Sequence, residues 1–223
     1  MIERLREWAR GHTERKRYSP VGIAFHWIMA GLIIFQIGWG WYMAQVSVGA
    51  DKVAAFETHS AIGLPILVLA CLRFIWRMMV PGPVNDADTP GWQSKSAYAI
   101  HYVFYICFFG LPLSGWAMWS SLGQPGPLYL GGVVPWPQLP LQNLSPEQQY
   151  WVMDVAEDVH HFLVLVLVLI VPLHVGAALK HHFWDRHDVL TGMLPEIEDS
   201  ETPRARPTSS APGSQSPQPS TGG

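Results

Sequence analysis

Three long stretches of this chain contain no Asp, Glu, Lys or Arg: residues 18–50, 96–146 and 159–179. A chain that buries a core in water keeps charge scattered along its surface, at roughly 25% of residues. Here the charged share is 14% and the hydrophobic share 49% of 223 residues. About 20 consecutive apolar residues suffice for a helix to cross a bilayer, and each neutral stretch supplies them. Eleven tryptophans suit the membrane–water interface. The sequence therefore predicts an integral membrane protein.

Four spans are expected, over roughly 21–43, 58–79, 96–122 and 154–181. The run "LVLVLVLIV" inside the fourth has strand-like composition. Its length decides for helix, because a lone strand leaves its backbone groups unsatisfied in lipid. The first stretch is too long for a signal-peptide core and reads as a retained span. Ser145, Pro146 and Gln148 form the start signal of the fourth helix. Pro65, Pro112 and Pro172 fall inside spans and are expected to kink them. Cys71 and Cys107 lie in apolar segments without metal-ligand spacing and read as small buried side chains. The fold class expected is all-α, a membrane four-helix bundle.

Lysine and arginine set the orientation. Of the fourteen, only Lys52 falls on the side opposite the others. Both termini are thus expected in the cytoplasm, in a bacterial-type inner membrane. Residues 1–17 read as a basic cytoplasmic arm, 18–195 as the membrane domain, and 196–223, rich in Pro, Ser and Gly, as a disordered tail. The segment "HHFWDRHDVLTGMLP" reads either as a short interfacial helix or as an ordered linker. The outer loop "GQPGPLYLGGVVPWPQLP" reads as cover or as a docking surface.

Histidines inside the spans need partners, since an unpaired polar ring in an apolar medium is costly. His26 falls about one turn into the first span and His59 at the outer end of the second. His101 is near the inner start of the third. His160 and His161 lie at the outer end of the fourth, and His174 near its inner end. The 14-residue step from His160 to His174 is about four turns, so the two share a face within about 40° and stand about 21 Å apart along the axis. His161 diverges from His174 by about 140° and reads as facing headgroups or the outer loop. His181, His182 and His187 read as solvated. His26 matches His174 in depth, and His59 matches His160.

Two depth-matched pairs suit two haem b groups, each held by axial imidazoles from facing helices. Six-coordinate iron points to outer-sphere electron transfer. A lone intramembrane histidine more often bonds a neighbouring helix, so a haem-free, histidine-lined transporter of metal ions or protons is the rival from a different class. His101 suits a haem propionate, a quinone such as ubiquinone, or another helix. Arg73 and Arg77 suit propionates, anionic lipid, or simple positive-inside signalling. The outer face carries Asp51, Glu57, Glu147, Asp154, Glu157 and Asp158 against Lys52. Such a face repels anions and suits a basic periplasmic redox protein. No nucleic-acid partner is expected.

"RYSPVGIAFHWIMAGLIIFQIGWGWYM", "THSAIGLPILVLACLRFIWRM", "HYVFYICFFGLPLSGWAM" and "HHFLVLVLVLIVPLHVGAALKHHFWDRHDVLTGMLP" together resemble, in order, the four spans of bacterial cytochrome b561 proteins. The resemblance covers roughly 18–195. It implies a bundle holding two b haems, with His26 and His174 on the inner one and His59 and His160 on the outer. Relatives include a superoxide:ubiquinone oxidoreductase and b-type anchor subunits that exchange electrons with quinone. The function expected is transmembrane electron transfer between the quinone pool and a partner at the periplasmic face, with the superoxide activity as the alternative. Whether the chain is a carrier or an oxidoreductase is left open by the residues.

Overall fold

The computed structural model describes residues 3–4, 7–8, 17–80, 82–83, 91–122, 126–185 and 190–195. Four helices long and apolar enough to cross a membrane dominate it: α1 (Pro20–Gln45), α2 (Ala50–Met79), α3 (Gly91–Ser120) and α4 (Pro146–Phe183). Between α3 and α4 the chain makes a small antiparallel hairpin, β1 (Leu128–Leu130) and β2 (Val134–Trp136), with Leu128 opposite Trp136. The bundle thus has a hairpin end and an end where the chain enters and leaves.

Local chemistry explains the helix starts. Ser19 caps α1 by accepting from the Gly22 N–H at 3.3 Å, and Pro20 follows at a position whose N–H needs no partner. Ser145 and Gln148 form a reciprocal capping box on α4, followed by Pro146. The α4 start agrees with the sequence signal. Two other starts fall earlier than expected: α2 begins at Ala50 and α3 at Gly91. His59 therefore sits more than two turns inside α2, not at its tip. The charged residues Asp51, Lys52 and Glu57 mask that first part of α2 from a hydropathy reading.

The core is a waist built on one spacing. Met29 and Ile33, Ile66 and Ala70, Phe104 and Phe108, and Leu163 and Leu167 form one buried cluster with Cys107. Each helix contributes a pair four residues apart, one above the other on a single face. Elsewhere the bundle shows apolar side chains outward, as a lipid-facing surface requires: Ile34, Leu165, Leu169 and Leu173 are all more than half exposed. In lipid there is little hydrophobic drive between helices, so close packing has to hold them together. Gly110 permits it: a Cβ there would stand 2.5 Å from Leu163 Cδ1. The cysteines separate on this criterion. Cys107 is buried as expected, whereas Cys71 is exposed on the apolar surface of α2.

The prolines do more than bend helices. All three host helices run on through them. Pro65 has no N–H, which leaves the Ala61 carbonyl without its intrahelical donor. The Gly131 N–H fills that vacancy at 2.9 Å and so docks the hairpin on α2. Gly131 and Gly132 have φ of 62° and 75°, a region open to glycine at little cost. Indole donors of α3 complete the attachment, from Trp116 to the Pro137 carbonyl at 2.9 Å and from Trp119 to Gly126 at 2.8 Å.

At the other end, a 3-10 turn at Thr191–Met193 is clasped to the start of α1. Tyr18 N–H donates to the Gly192 carbonyl at 3.2 Å, Arg17 to Leu194 at 2.6 Å, and the Trp27 indole to Met193 at 2.7 Å. The "HHFWDRHDVLTGMLP" segment is thus divided: its first residues finish α4 and its last ones form this turn. His181, expected to be solvated, instead bonds Asp185 Oδ2 at 2.7 Å, and Nδ1 of His182 is buried. His187, most of the basic arm and the 196–223 tail lie outside the described residues.

Candidate functional site

Two pairs of histidines face each other across the bundle, one on each side of the apolar waist. At the hairpin end, His59 of α2 and His160 of α4 have ring centroids 6.2 Å apart, inclined by 64°. At the other end, His26 of α1 and His174 of α4 are also 6.2 Å apart, inclined by 52°. His161 is exposed and makes no ring contact with the pair beside it. His101 of α3 comes to the termini-end pair, with its ring 5.7 Å from that of His174.

The surroundings of the two pairs differ. At the hairpin end, His160 Nδ1 lies 2.9 Å from Ser114 Oγ. The Ser114 hydroxyl is already committed as a donor to the carbonyls of Gly110 at 2.7 Å and Leu111 at 3.0 Å. With that hydrogen on a carbonyl the Ser114 oxygen can accept from His160 Nδ1, the tautomer that leaves Nε2 with a free lone pair. Glycines flank both rings: a Cβ at Gly115 would lie 3.5 Å from His160 Cε1, and one at Gly40 3.7 Å from His59 Cε1. Gln36 of α1 donates from Nε2 to the His59 carbonyl at 2.8 Å. Both Gln36 Oε1 and His59 Nδ1 are buried without a partner.

At the termini end the neighbour is a cation. Arg73 of α2 places Nη2 3.4 Å from His26 Nδ1 and lies over the Phe108 ring at 6.0 Å. Arg77 stacks over Tyr18 at 5.6 Å. Phe104 packs edge-on to His174 at 5.2 Å. Sequence reasoning found each of these histidines and arginines. It missed Ser114 and Gln36, which carry no charge and no motif; only their facing histidine gives them meaning.

A profile of prokaryotic cytochrome b561 matches residues 17–196. This chain belongs to that family. It is 28% identical over 180 residues to cytochrome b561 homolog 2 of Escherichia coli, an alignment that covers 80% of this chain and 92% of the relative. It is 26% identical over 185 residues to homolog 1 of the same organism, at 80% and 97% coverage. A probable superoxide oxidase, CybB of Yersinia pestis, is 24% identical over 186 residues, at 81% and 97% coverage. As a cytochrome b561 the chain is a multi-pass bacterial membrane protein, a b-type cytochrome that binds haem b and works in electron transfer.

The residues present fit that group. An imidazole–metal bond is about 2.0–2.1 Å long, and a ring nitrogen stands roughly 1.1 Å from its ring centre. Two imidazoles holding one metal ion between them would have centroids about 6.2–6.4 Å apart, close to the 6.2 Å found in both pairs. Haem iron takes four ligands from its macrocycle and needs only two from the protein. Among the described residues, no group of three or more His, Cys, Asp or Glu gathers to hold a bare ion.

Proposed function

We propose that this cytochrome b561 holds two b haems, one between His26 and His174 and one between His59 and His160, and carries electrons across the inner membrane. Both termini would face the cytoplasm and the hairpin the periplasm. The observation that carries the reading is the repeated 6.2 Å ring separation on either side of a shared waist. When bound, the haems supply reversible one-electron exchange. The protein's part is to aim four imidazoles, exclude water, and place charge.

Arg73 has a defined task in this reading. A neutral His26 that ligates through Nε2 carries its one proton on Nδ1, and cannot then accept from Arg73. The guanidinium must turn to another acceptor, and a haem propionate supplies one with the bidentate geometry arginine favours. Arg77 and His101 lie at the same end and suit the second propionate or a quinone headgroup, as with ubiquinone.

The hairpin end would meet the periplasmic partner. Asp51, Glu57, Glu147, Asp154, Glu157 and Asp158 are all exposed there. Lys52 is half-buried, with Nζ donating to the Met43 carbonyl at 2.6 Å. This face offers negative charge to a basic redox protein and slows the approach of an anion. A cleft of about 280 Å³ lies between α2, α3 and the hairpin, lined by Glu57, Thr58, Ser60, Ala61, Trp119 and Tyr129 among others.

A pyridine haemochrome assay on the purified protein tests the core of this reading. Two b haems per chain are expected; one, or none, would overturn the paired assignment. The superoxide:ubiquinone reading is favoured by the name of the Yersinia relative alone. Stopped-flow reduction by superoxide separates it: a rate no faster than spontaneous dismutation removes it, and a rate well above that removes the protein partner as the required donor.

A further inference from the structure

We infer that Ser114 and Gln36 are positioning residues for the hairpin-end histidines, and that they make the haem site there lower in potential than the site beside Arg73. The inference rests on the histidine assignment above and adds residues and a consequence to it.

Each ring at the hairpin end has an acceptor for its Nδ1 proton. For His160 the contact is formed, to a Ser114 oxygen whose own hydrogen is engaged by backbone carbonyls. For His59 the candidate is Gln36, whose side chain reaches the backbone of the same residue. The Gln36 amide is anchored by its nitrogen to the His59 carbonyl at 2.8 Å, so its oxygen is the end left over. A reversed amide would oppose two oxygens, which fixes the assignment. That oxygen and His59 Nδ1 are both buried and unpartnered, and leaving such groups unpaired costs about 1–3 kcal/mol each. The inference pairs the two: Gln36 Oε1 would accept the Nδ1 proton of a His59 that ligates through Nε2.

An imidazole that donates from Nδ1 is a more basic ligand at Nε2. Greater basicity favours the oxidised iron, which carries one more positive charge than the reduced iron. The termini end works in the opposite sense. An Arg73 guanidinium that turns from His26 to a propionate offsets that group's negative charge, and so disfavours the more positive, oxidised state. Hydrogen bonding to axial ligands and nearby charge are recognised levers on haem potential. The two ends of one bundle thus pull their sites apart.

Redox titration of the full-length protein, followed optically and by EPR, tests this. The hairpin-end signal is identified as the one missing in His160→Ala. In the native protein it should have the lower midpoint potential. Ser114→Ala and Gln36→Leu should each raise that midpoint and leave the other unmoved, with haem content unchanged, and Ser114→Thr should restore the native value. A hairpin-end midpoint that is the higher of the two, or that stays put in both variants, overturns the inference while leaving the haem ligands intact. Loss of no haem in His160→Ala would instead overturn the assignment on which it rests.

Discussion

The two ends of this bundle hold their histidines by different physics. At the hairpin end the polar neighbours are neutral, Ser114 of α3 at the His160 ring and Gln36 of α1 at the His59 backbone, and the hairpin is docked through a carbonyl that Pro65 leaves free. At the termini end the nearest polar neighbour is a guanidinium, and the cover is a clasp of the last described turn on α1. Ring separation is 6.2 Å at both. The difference teaches that ring spacing is set by the helices, while the surroundings of each pair are set by what lies behind the ring.

The largest test of that separation is to remove one ring at a time. His160→Ala should lose about half the haem absorbance while keeping the termini-end site, and His174→Ala should do the converse. His161→Ala should keep both, because it is exposed beside the pair. Absorbance at the Soret band in each purified variant reads this directly. Loss of both haems from either single variant would mean that the two sites fold as one unit and that the comparison has no content.

The hairpin lid offers a test of intermediate size. Gly131→Ala places a side chain at φ of 62°, which costs about 1–2 kcal/mol. Pro65→Ala returns an N–H to Ala61 and competes with the 2.9 Å bond from Gly131, at about 1 kcal/mol. Both should raise amide exchange across residues 128–136 and leave the 191–193 turn as slow as before. Equal loosening at both ends would show that the lid and the clasp are coupled through the waist.

Much of this was legible in the residues. Neutral runs and the Ser145 capping box located the helices, and the 14-residue step in α4 picked His160 over His161 for one face. The start of α2 was hidden because Asp51, Lys52 and Glu57 sit on its first turns, where a helix leaves the bilayer and hydropathy stops reporting on it. The hairpin was hidden because its strands are three residues long and one of them contains Pro135. Ser114 and Gln36 were hidden for a different reason. A serine or glutamine in a span usually bonds its own helix or a neighbour, and only the opposing ring distinguishes one that aims a ligand. The contact of His181 is local by contrast: Asp185 stands four residues on, just past the end of α4, and its carboxylate comes within 2.7 Å.

The smallest effect belongs to that last contact, and it probes whether charge holds the termini end as neutral hydrogen bonds hold the other. Asp185 receives Lys180 Nζ at 2.8 Å and His181 Nδ1 at 2.7 Å. Hydrogen bonds from Lys180 and then His181 hold its carboxyl below the ordinary value of 3.8. A depressed carboxyl stabilises the fold fully above its unfolded value, and that contribution disappears as pH falls through the lower, folded value. Asp185→Asn should therefore melt slightly earlier than the native protein at neutral pH, and the two curves should converge as the solution is acidified below about pH 4. The gap should also shrink in high salt, since the carboxylate is open to solvent and screened. Substitutions at the hairpin end, Ser114→Ala among them, should show no such convergence. If Asp185→Asn kept its full deficit in acid, the contact would be acting through packing, and the electrostatic account of this end would fail.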